Sequence, residues 1–308
     1  MQFKSVLVTG ATGVIGTATL SVLREEGYNV RGLSSGDADL RDFQAALAVM
    51  EAVRPDAVIH LAARVHGLMG NVRAQGEMFR DNTLINMNVI EAARVAGVRK
   101  IVAMGSVATY PDGVPLPMRE SDMWAGAPHG SEAGYAHAKR AMLAQLEAYQ
   151  DQYGLEFAVA VSTNLFGPHD RFDEVRGHVL PSLISKFHRG VTTGEPVSVW
   201  GSGEATRDFL FSFDAARALR VLLEGGDGLY NVASGSHITI KEVALEIARA
   251  ANFTGEIQWD RTKPDGQPAR AYDITRIAAL GWAPQVPLQS ALKETFEWYR
   301  ANLDRVRR

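Results

Sequence analysis

Short apolar runs and helical patterns alternate along the first half of the chain. Phe3 to Thr9 is apolar and β-branched, which predicts a buried strand, and a helical pattern follows to about Glu26. Tyr28 to Leu33, Ala57 to Leu61 and Lys100 to Met104 read as further strands. A helix opens at Asp39-Leu40-Arg41-Asp42 and another runs from Asp81 to Ala96. Ser131 to Tyr153 reads as a long helix with Ser131 as its N-cap, and Phe157 to Val161 as a sixth strand. Beyond Val161 the alternation breaks at Asn164, Gly167-Pro168-His169-Asp170, Pro181 and Pro196. Val197 to Trp200 reads as a short strand, and Asp214 to Glu224 with Gly228 to Val232 as a return to the sheet. Helices at Ile240 to Ala251 and Leu288 to Leu303 close the chain.

What joins the first strand to the first helix narrows the fold. Gly10-Ala11-Thr12-Gly13-Val14-Ile15-Gly16 is a glycine turn between strand and helix. Glycines there let backbone approach a pyrophosphate whose charge sits at the helix N-terminus. The expectation is a Rossmann-type, doubly wound parallel α/β sheet over residues 1–163 and 203–232. A smaller C-terminal substrate-binding domain would take residues 164–202 and 233–308. Ala62-Ala63, after the third strand, are small enough to leave room for a dinucleotide. The second strand ends Leu33-Ser34-Ser35, with Arg31 nearby and no acid before Asp37. An acid at that point binds a ribose 2′-hydroxyl and repels a 2′-phosphate, so its absence leans toward NADPH. Asp39 is placed either to meet the adenine amine or simply to cap its helix.

Composition removes several function classes. The chain has 308 residues, 46% of them hydrophobic, enough for one large α/β unit or two modest domains. A net charge of -3 gives no reason to expect a nucleic-acid or membrane partner. Having no cysteine, the chain has no disulfide, thiolate metal site or thiol nucleophile, and no metal site is expected. No stretch approaches the roughly 20 apolar residues of a membrane span. The N-terminus goes straight into a strand without a signal peptide, so a cytoplasmic protein is expected.

Chemistry concentrates in Tyr135-Ala136-His137-Ala138-Lys139. A spacing of four puts Tyr135 and Lys139 on one helix face, about one turn apart. A phenol titrates near pH ~10, and an ammonium one turn away should lower that value. Such a tyrosine can pass a proton to a carbonyl oxygen as hydride reaches carbon. Ser106, at the carboxyl end of the strand Lys100 to Met104, can hold that oxygen.

Together these features resemble the extended short-chain dehydrogenase/reductases. Closer motifs resemble the GDP-L-fucose synthases, also called GDP-4-keto-6-deoxymannose 3,5-epimerase-4-reductases. They are Asp37-Ala38-Asp39-Leu40, Val58-Ile59-His60-Leu61-Ala62-Ala63, Gly134 to Arg140, Thr163 to Phe172, Gly177-His178-Val179-Leu180-Pro181, Val199 to Gly203 and Lys263-Pro264-Asp265-Gly266. The resemblance spans essentially the whole chain. It implies a homodimeric, NADPH-dependent enzyme acting on a GDP-linked 4-keto-6-deoxy sugar. It assigns Ser106, Tyr135 and Lys139 to the reducing triad and His178 to the acid of the epimerisation steps. It brings Ser34, Asp39, Leu40, Leu61, Asn164, Phe166 and His178 to the cofactor. Along the GDP-sugar it sets Ser106, Ala108, His66, Asn164, Val179, Lys186, Trp200, Arg207 and Lys263. Lys186, Arg207 and Lys263 would offset diphosphate charge, and Trp200 would cover a flat ring. Of the family's helices, those here at Asp81 to Ala96 and Ser131 to Tyr153 would form the dimer contact, through Leu84, Met87, Met142 and Leu146.

Two departures stand out. Where the family places a cysteine base, the sequence reads Ser106-Val107-Ala108, and alanine has no titratable group. His66 stands where the family has glycine. A 4-reductase with little or no epimerase activity is the leading expectation. Full GDP-L-fucose synthase activity remains if His66 or a water replaces the cysteine, or if Ala108 is an engineered change. A non-catalytic NADP-binding regulator is the competing class, but it has no chemical need for Ser106, Tyr135 and Lys139 together. A dehydratase or 4-epimerase with tightly bound NAD would want an acid at the second strand's end and another after the serine, and the sequence has neither there.

Overall fold

A parallel sheet needs apolar side chains on both faces of each strand, and the five-residue runs of this chain supply them. This computed structural model describes residues 2–65, 74–174, 177–263 and 269–306. Its first half alternates β1 (Ser5–Thr9), α1 (Val14–Glu25), β2 (Asn29–Leu33), α2 (Phe43–Val53), β3 (Ala57–His60), α3 (Gln75–Val95) and β4 (Lys100–Met104). Then come α4 (Ala133–Tyr153), β5 (Glu156–Ser162), β6 (Asn164–Phe166), α5 (Val179–Thr193), β7 (Val197–Trp200), β8 (Thr206–Arg207) and β9 (Phe209–Phe211). The chain finishes with α6 (Ser212–Gly225), β10 (Gly228–Val232), β11 (Ile238–Thr239), α7 (Ile240–Ala251), β12 (Ile257–Asp260), α8 (Thr275–Ala278) and α9 (Leu288–Ala301).

Six strands pair in parallel in the order β10-β5-β4-β3-β1-β2. β2 adds to one side of β1 and β3 to the other, so a crevice opens beyond the carboxyl ends of β1 and β3. Period-two alternation sends Leu7 to one face and Val6 and Val8 to the other. Leu7 joins Val58, Ile101 and Phe157 in a core cluster that also takes Met142, Leu143 and Leu146 from α4. Val6 and Val8 join Ile59, Val102, Leu219 and Leu222 on the α1 and α6 side. A third cluster, with Phe166, Leu183, Phe187, Val243, Ile247 and Phe296, lies among α5, α7 and α9.

Several expectations change here. Phe157 to Val161 belongs to the fifth strand of the chain, not a sixth, and it lies between β4 and β10. Helix α3 begins six residues before Asp81. Its first turn is fixed by tertiary contact that no periodicity reports: the Gln75 amide donates to the Gly130 and Ser131 carbonyls (3.0 and 2.8 Å) and accepts from Gly134 N (2.6 Å). Ser131 does not cap α4. It sits in a 3₁₀ turn, Gly130–Glu132, with its hydroxyl 2.6 Å from His129 Nδ1, and Glu132 takes the N-cap position. Nor does Asp39 cap α2: Asp42 does, accepting from Gln44 N and Ala45 N at 2.7 and 3.2 Å. Met142 and Leu146 are buried in the core, so neither belongs to an exposed dimer face. The exposed side of α4 instead carries His137, Ala141, Ala144 and Ala148, and α3 beside it exposes Phe79 and Met87.

The last part of the chain returns to the sheet. Ile277 and Trp282 are buried in the α1 and α6 cluster. The Trp282 indole donates to the Asp214 carbonyl (3.1 Å), and the buried Asp214 carboxylate accepts from Gln285 N and Val286 N. Among the described residues no helix is long and apolar enough to cross a membrane.

Candidate active site

The crevice beyond β1 is shaped for backbone, not side chains. Gly10 adopts φ +68°, and a Cβ there would lie 2.8 Å from Ala62 N. A Cβ on Gly16 would lie 2.2 Å from the Gly10 carbonyl. Only glycine fits at either place. Helix α1 then starts with Gly13 at its N-cap, no side-chain cap and no acid in its first turn. Its first N–H groups and the positive end of its dipole are left for an anion, which fits the pyrophosphate of a dinucleotide. Thr12, Val14 and Ile15 supply this turn, though the Ile15 side chain is core. Leu61, Ala62 and Ala63 border it from the end of β3.

Beyond β2 the structure amends the sequence reading. Asp37 folds back so that its carboxylate accepts from Ser34 N (2.7 Å) and Ser34 Oγ (2.6 Å). An acid does therefore stand at the end of the second strand, brought there by a tight turn in which Asp37 N meets the Ser34 carbonyl. Those hydrogen bonds, with the charge of Arg31, hold the Asp37 carboxyl below its ordinary range. Asp39 is paired with Arg41 at 2.7 Å. The Leu40 side chain is buried, and its carbonyl accepts from Asn88 Nδ2. Asp81, almost fully buried, gathers Arg41, Arg64 and Arg80 and so pins the loops after β2 and β3 to α3.

Ser106 follows β4 and starts a 3₁₀ turn, Val107–Thr109, in which its Oγ accepts from Ala108 N at 3.2 Å. Arg140 of α4 donates to the Thr109 carbonyl from Nε and Nη2 (3.0 and 2.6 Å) and to Gly126 from Nη1. This buried guanidinium clamps the turn to the helix and brings Ser106 into hydrogen-bonding reach of the Tyr135 phenol. One helical turn on, Lys139 donates to the Met104 carbonyl at 2.8 Å, with Nζ 5.9 Å from the Tyr135 ring centre. The structure thus brings Ser106, Tyr135 and Lys139 together, but with a different electrostatic balance than expected. Burial, then the Glu132 charge, pushes the Tyr135 phenol up, and the Ser106 hydrogen bond opposes this less strongly. The Lys139 amine turns to Met104 instead of to the phenol, and burial depresses it to about 8. At neutral pH the pair is a protonated phenol beside an ammonium, which is what a proton donor requires.

Across the cleft, His178 is the N-cap residue of α5. The residue is exposed at the surface, yet protein walls its imidazole closely enough that burial lowers its pKa while Glu132 raises it. Burial and Arg270 depress the Arg207 guanidinium, which Tyr272 and Glu132 raise. Glu132 therefore acts on Tyr135, His178 and Arg207 alike. Asn164 donates to the Asp208 carbonyl at 3.0 Å. Farther along the smaller lobe, Trp200 is about half exposed, with Lys186 Nζ and Lys263 Nζ 5.6 and 5.7 Å from its ring centre. Val179 is exposed. Ala108 is buried, and Phe166 packs on Phe211 in the core, so its side chain faces away from a cofactor. His66 lies outside the described residues. Among the described residues no histidine and carboxylate cluster is placed to hold a metal ion.

Sequence reasoning missed Glu132 and Arg270. Glu132 carried a signal, standing three residues before Tyr135. Arg270, which donates to the Val107 carbonyl at 3.1 Å, comes from 163 residues away and had none.

The chain is similar to known proteins over essentially its whole length. The pattern of the NAD dependent epimerase/dehydratase family matches residues 6–233. A probable GDP-L-fucose synthase 1 from Oryza sativa subsp. japonica is 37% identical over 303 residues, 97% of this chain and 92% of the relative. The crystal structure of a GDP-L-fucose synthetase from Naegleria fowleri bound to NADP superimposes with a TM-score of 0.93 at 34% identity, covering 100% of this chain and 96% of that one. A GDP-6-OMe-4-keto-L-xylo-heptose reductase from Campylobacter jejuni superimposes at 0.90 with 26% identity, covering 98% and 99%.

Proposed function

The chain belongs to the NAD dependent epimerase/dehydratase family, on its GDP-L-fucose synthase branch, and from that premise we propose that it reduces the 4-keto group of a GDP-linked 4-keto-6-deoxy sugar with NADPH. The supporting observation is the meeting of Ser106, Tyr135 and Lys139 at the carboxyl end of the sheet, the end that also carries the glycine turn. NADPH, when bound, supplies the hydride. Tyr135, kept protonated by burial, gives its proton to the carbonyl oxygen, and Ser106 holds that oxygen from the other side. Lys139 keeps a positive charge behind the phenol, where the proton leaves. Arg207, Lys186 and Lys263 offset the diphosphate, and Trp200 covers a ring of the nucleotide-sugar. Residues 164–202 and 233–308, apart from the 275–286 segment that packs on the sheet, supply most of this sugar-binding side, and Arg207 joins it from β8.

We assign reduction without inversion at carbons 3 and 5, because Ala108 offers no base. Incubation with NADPH and GDP-4-keto-6-deoxymannose in deuterated water tests both halves. A reduced sugar without deuterium at those carbons is expected, and Ala108→Cys should introduce exchange. One observation favours a second reading, the full epimerase-reductase: the Glu132 carboxylate acts on both His178 and Tyr135, so an acid–base group stands in the cleft even without a cysteine. Deuterium at both carbons in the unaltered protein would select it. The protein works in the cytoplasm as a homodimer, formed through Phe79, Met87, Ala141, Ala144 and Ala148 on the exposed sides of α3 and α4.

A further inference from the structure

Below the triad runs a buried polar chain that no step of the reduction uses. Thr9 and His60 end β1 and β3 and are direct cross-strand partners. Thr9, His60 and Asn86 are all at most 1% exposed. The Thr9 hydroxyl oxygen accepts from Leu61 N and Ala62 N at 3.2 and 3.1 Å. Its own proton therefore points to His60 Nδ1, 2.8 Å away. With Nδ1 an acceptor, the imidazole proton is on Nε2, which donates to Asn86 Oδ1 at 3.1 Å. The Asn86 amide nitrogen in turn donates to the Ala138 carbonyl at 3.4 Å, the longest link. Ala138 immediately precedes Lys139. Every group has one role, so one tautomer and one amide orientation satisfy the whole set.

We propose that Thr9, His60 and Asn86 form a directional hydrogen-bond relay that fixes α4 at Ala138, and so the Lys139 amine, against the strand ends that border the cofactor. His60 and Asn86 are positioning residues: they touch neither cofactor nor sugar, and they act through the helix backbone. The relay links, through three buried side chains, the Leu61–Ala62 backbone packed on Gly10 and the helix that carries Tyr135 and Lys139. A neutral imidazole is required. A second ring proton on Nδ1 would face a hydroxyl oxygen that already accepts two N–H groups, and the ring charge would face the Lys139 ammonium. Burial and that ammonium accordingly depress the imidazole to about 3.

The inference rests on the reductive function proposed above, and its test separates the two. Nitrogen-15 spectra of the full chain read the tautomer without any substrate. Pyridine-type Nδ1 and pyrrole-type Nε2 signals for His60, unchanged from pH ~5 to ~8, are expected. A protonated Nδ1, or two exchanging tautomers, overturns the relay. Asn86→Leu and His60→Leu should then weaken NADPH binding and lower kcat by roughly 10- to 100-fold, the scale of a 1 Å misplacement. KM for the sugar should stay near wild type. His60→Gln keeps a donor at the Nε2 position and should recover most of the kcat lost in His60→Leu. Folded leucine variants with wild-type kcat and NADPH affinity overturn the positioning role, as does a His60→Gln variant no better than His60→Leu. If the leucine variants do not fold, the spectra and His60→Gln against wild type still decide. A wild-type chain that binds NADPH but turns over no GDP-4-keto sugar defeats the functional proposal alone, and the spectra with the NADPH affinities still decide the relay.

Discussion

Replacing Lys139 by methionine separates its chemical role from its cost to the fold. Lys139 is 3% exposed, and burial lowers its amine from an ordinary 10.5 to about 8. At ~1.36 kcal/mol per tenfold change in acidity, keeping that ammonium in the folded protein costs about 3 kcal/mol. The sign follows from proton uptake. Between about 8 and 10.5 the unfolded chain binds more proton than the folded one, so wild-type stability rises with pH across that window. Below about 8 both states hold the proton and the full penalty applies. Above 10.5 neither does, and the penalty vanishes. Methionine has no such term, though it forfeits the hydrogen bond to the Met104 carbonyl, a loss of ~1 kcal/mol that does not depend on pH. Urea unfolding of both proteins at pH ~7 and pH ~10 cancels that constant. The stability advantage of Lys139→Met over wild type should be about 2 kcal/mol larger at the lower pH. Reductase activity should be lost at either pH. A difference that does not change with pH would refute a buried, strained ammonium at Lys139.

Other variants test the rest of the site. Tyr135→Phe should lower kcat at least ~100-fold with NADPH binding largely kept, and a nearly active variant removes Tyr135 as the proton donor. With the unaltered protein, steady-state rates should favour NADPH over NADH. Asp37→Asn should lower KM for NADPH and raise KM for NADH, because the carboxylate beside Ser34 opposes a 2′-phosphate and can accept from a ribose 2′-hydroxyl; a raised NADPH KM would count against that. Light scattering at micromolar concentration should give twice the 33.5 kDa chain mass, and Ala144→Glu should return the monomer. A monomeric wild type excludes the dimer, and a dimer untouched by that change moves the contact elsewhere.

What the sequence reveals about the site depends on how local the determinant is. The glycine turn, Ser106 at a strand end, and Tyr135 with Lys139 one helical turn apart are all set within a few residues, so spacing alone locates them. The sign of the Tyr135 shift is not local. It depends on how deeply α4 is buried and on where the Lys139 amine turns, and the amine turns to Met104, a contact 35 residues back. The place of the Asp37 carboxylate is not local either: counted along the chain it lies past the strand, but a four-residue turn folds it onto Ser34. The start of α3 was hidden because Gln75, which fixes it, finds its partners at Gly130, Ser131 and Gly134. Met142 and Leu146 read equally well as core or contact surface, since an apolar residue on a helix carries no label for which apolar neighbour covers it.

Recombination between relatives is constrained by where Trp282 ends up. A chimera that joins the first 232 residues of this chain to the sugar-binding half of another inherits foreign side chains at 277 and 282, inside the layer built by α1 and α6. It also presents an unfamiliar backbone to the buried Asp214 carboxylate, which here receives Gln285 N and Val286 N. Specificity exchanged at a single crossover therefore disturbs the dinucleotide half as well. A graft with a second crossover, restoring residues 275–286 of this chain, exchanges the sugar pocket and leaves that layer intact.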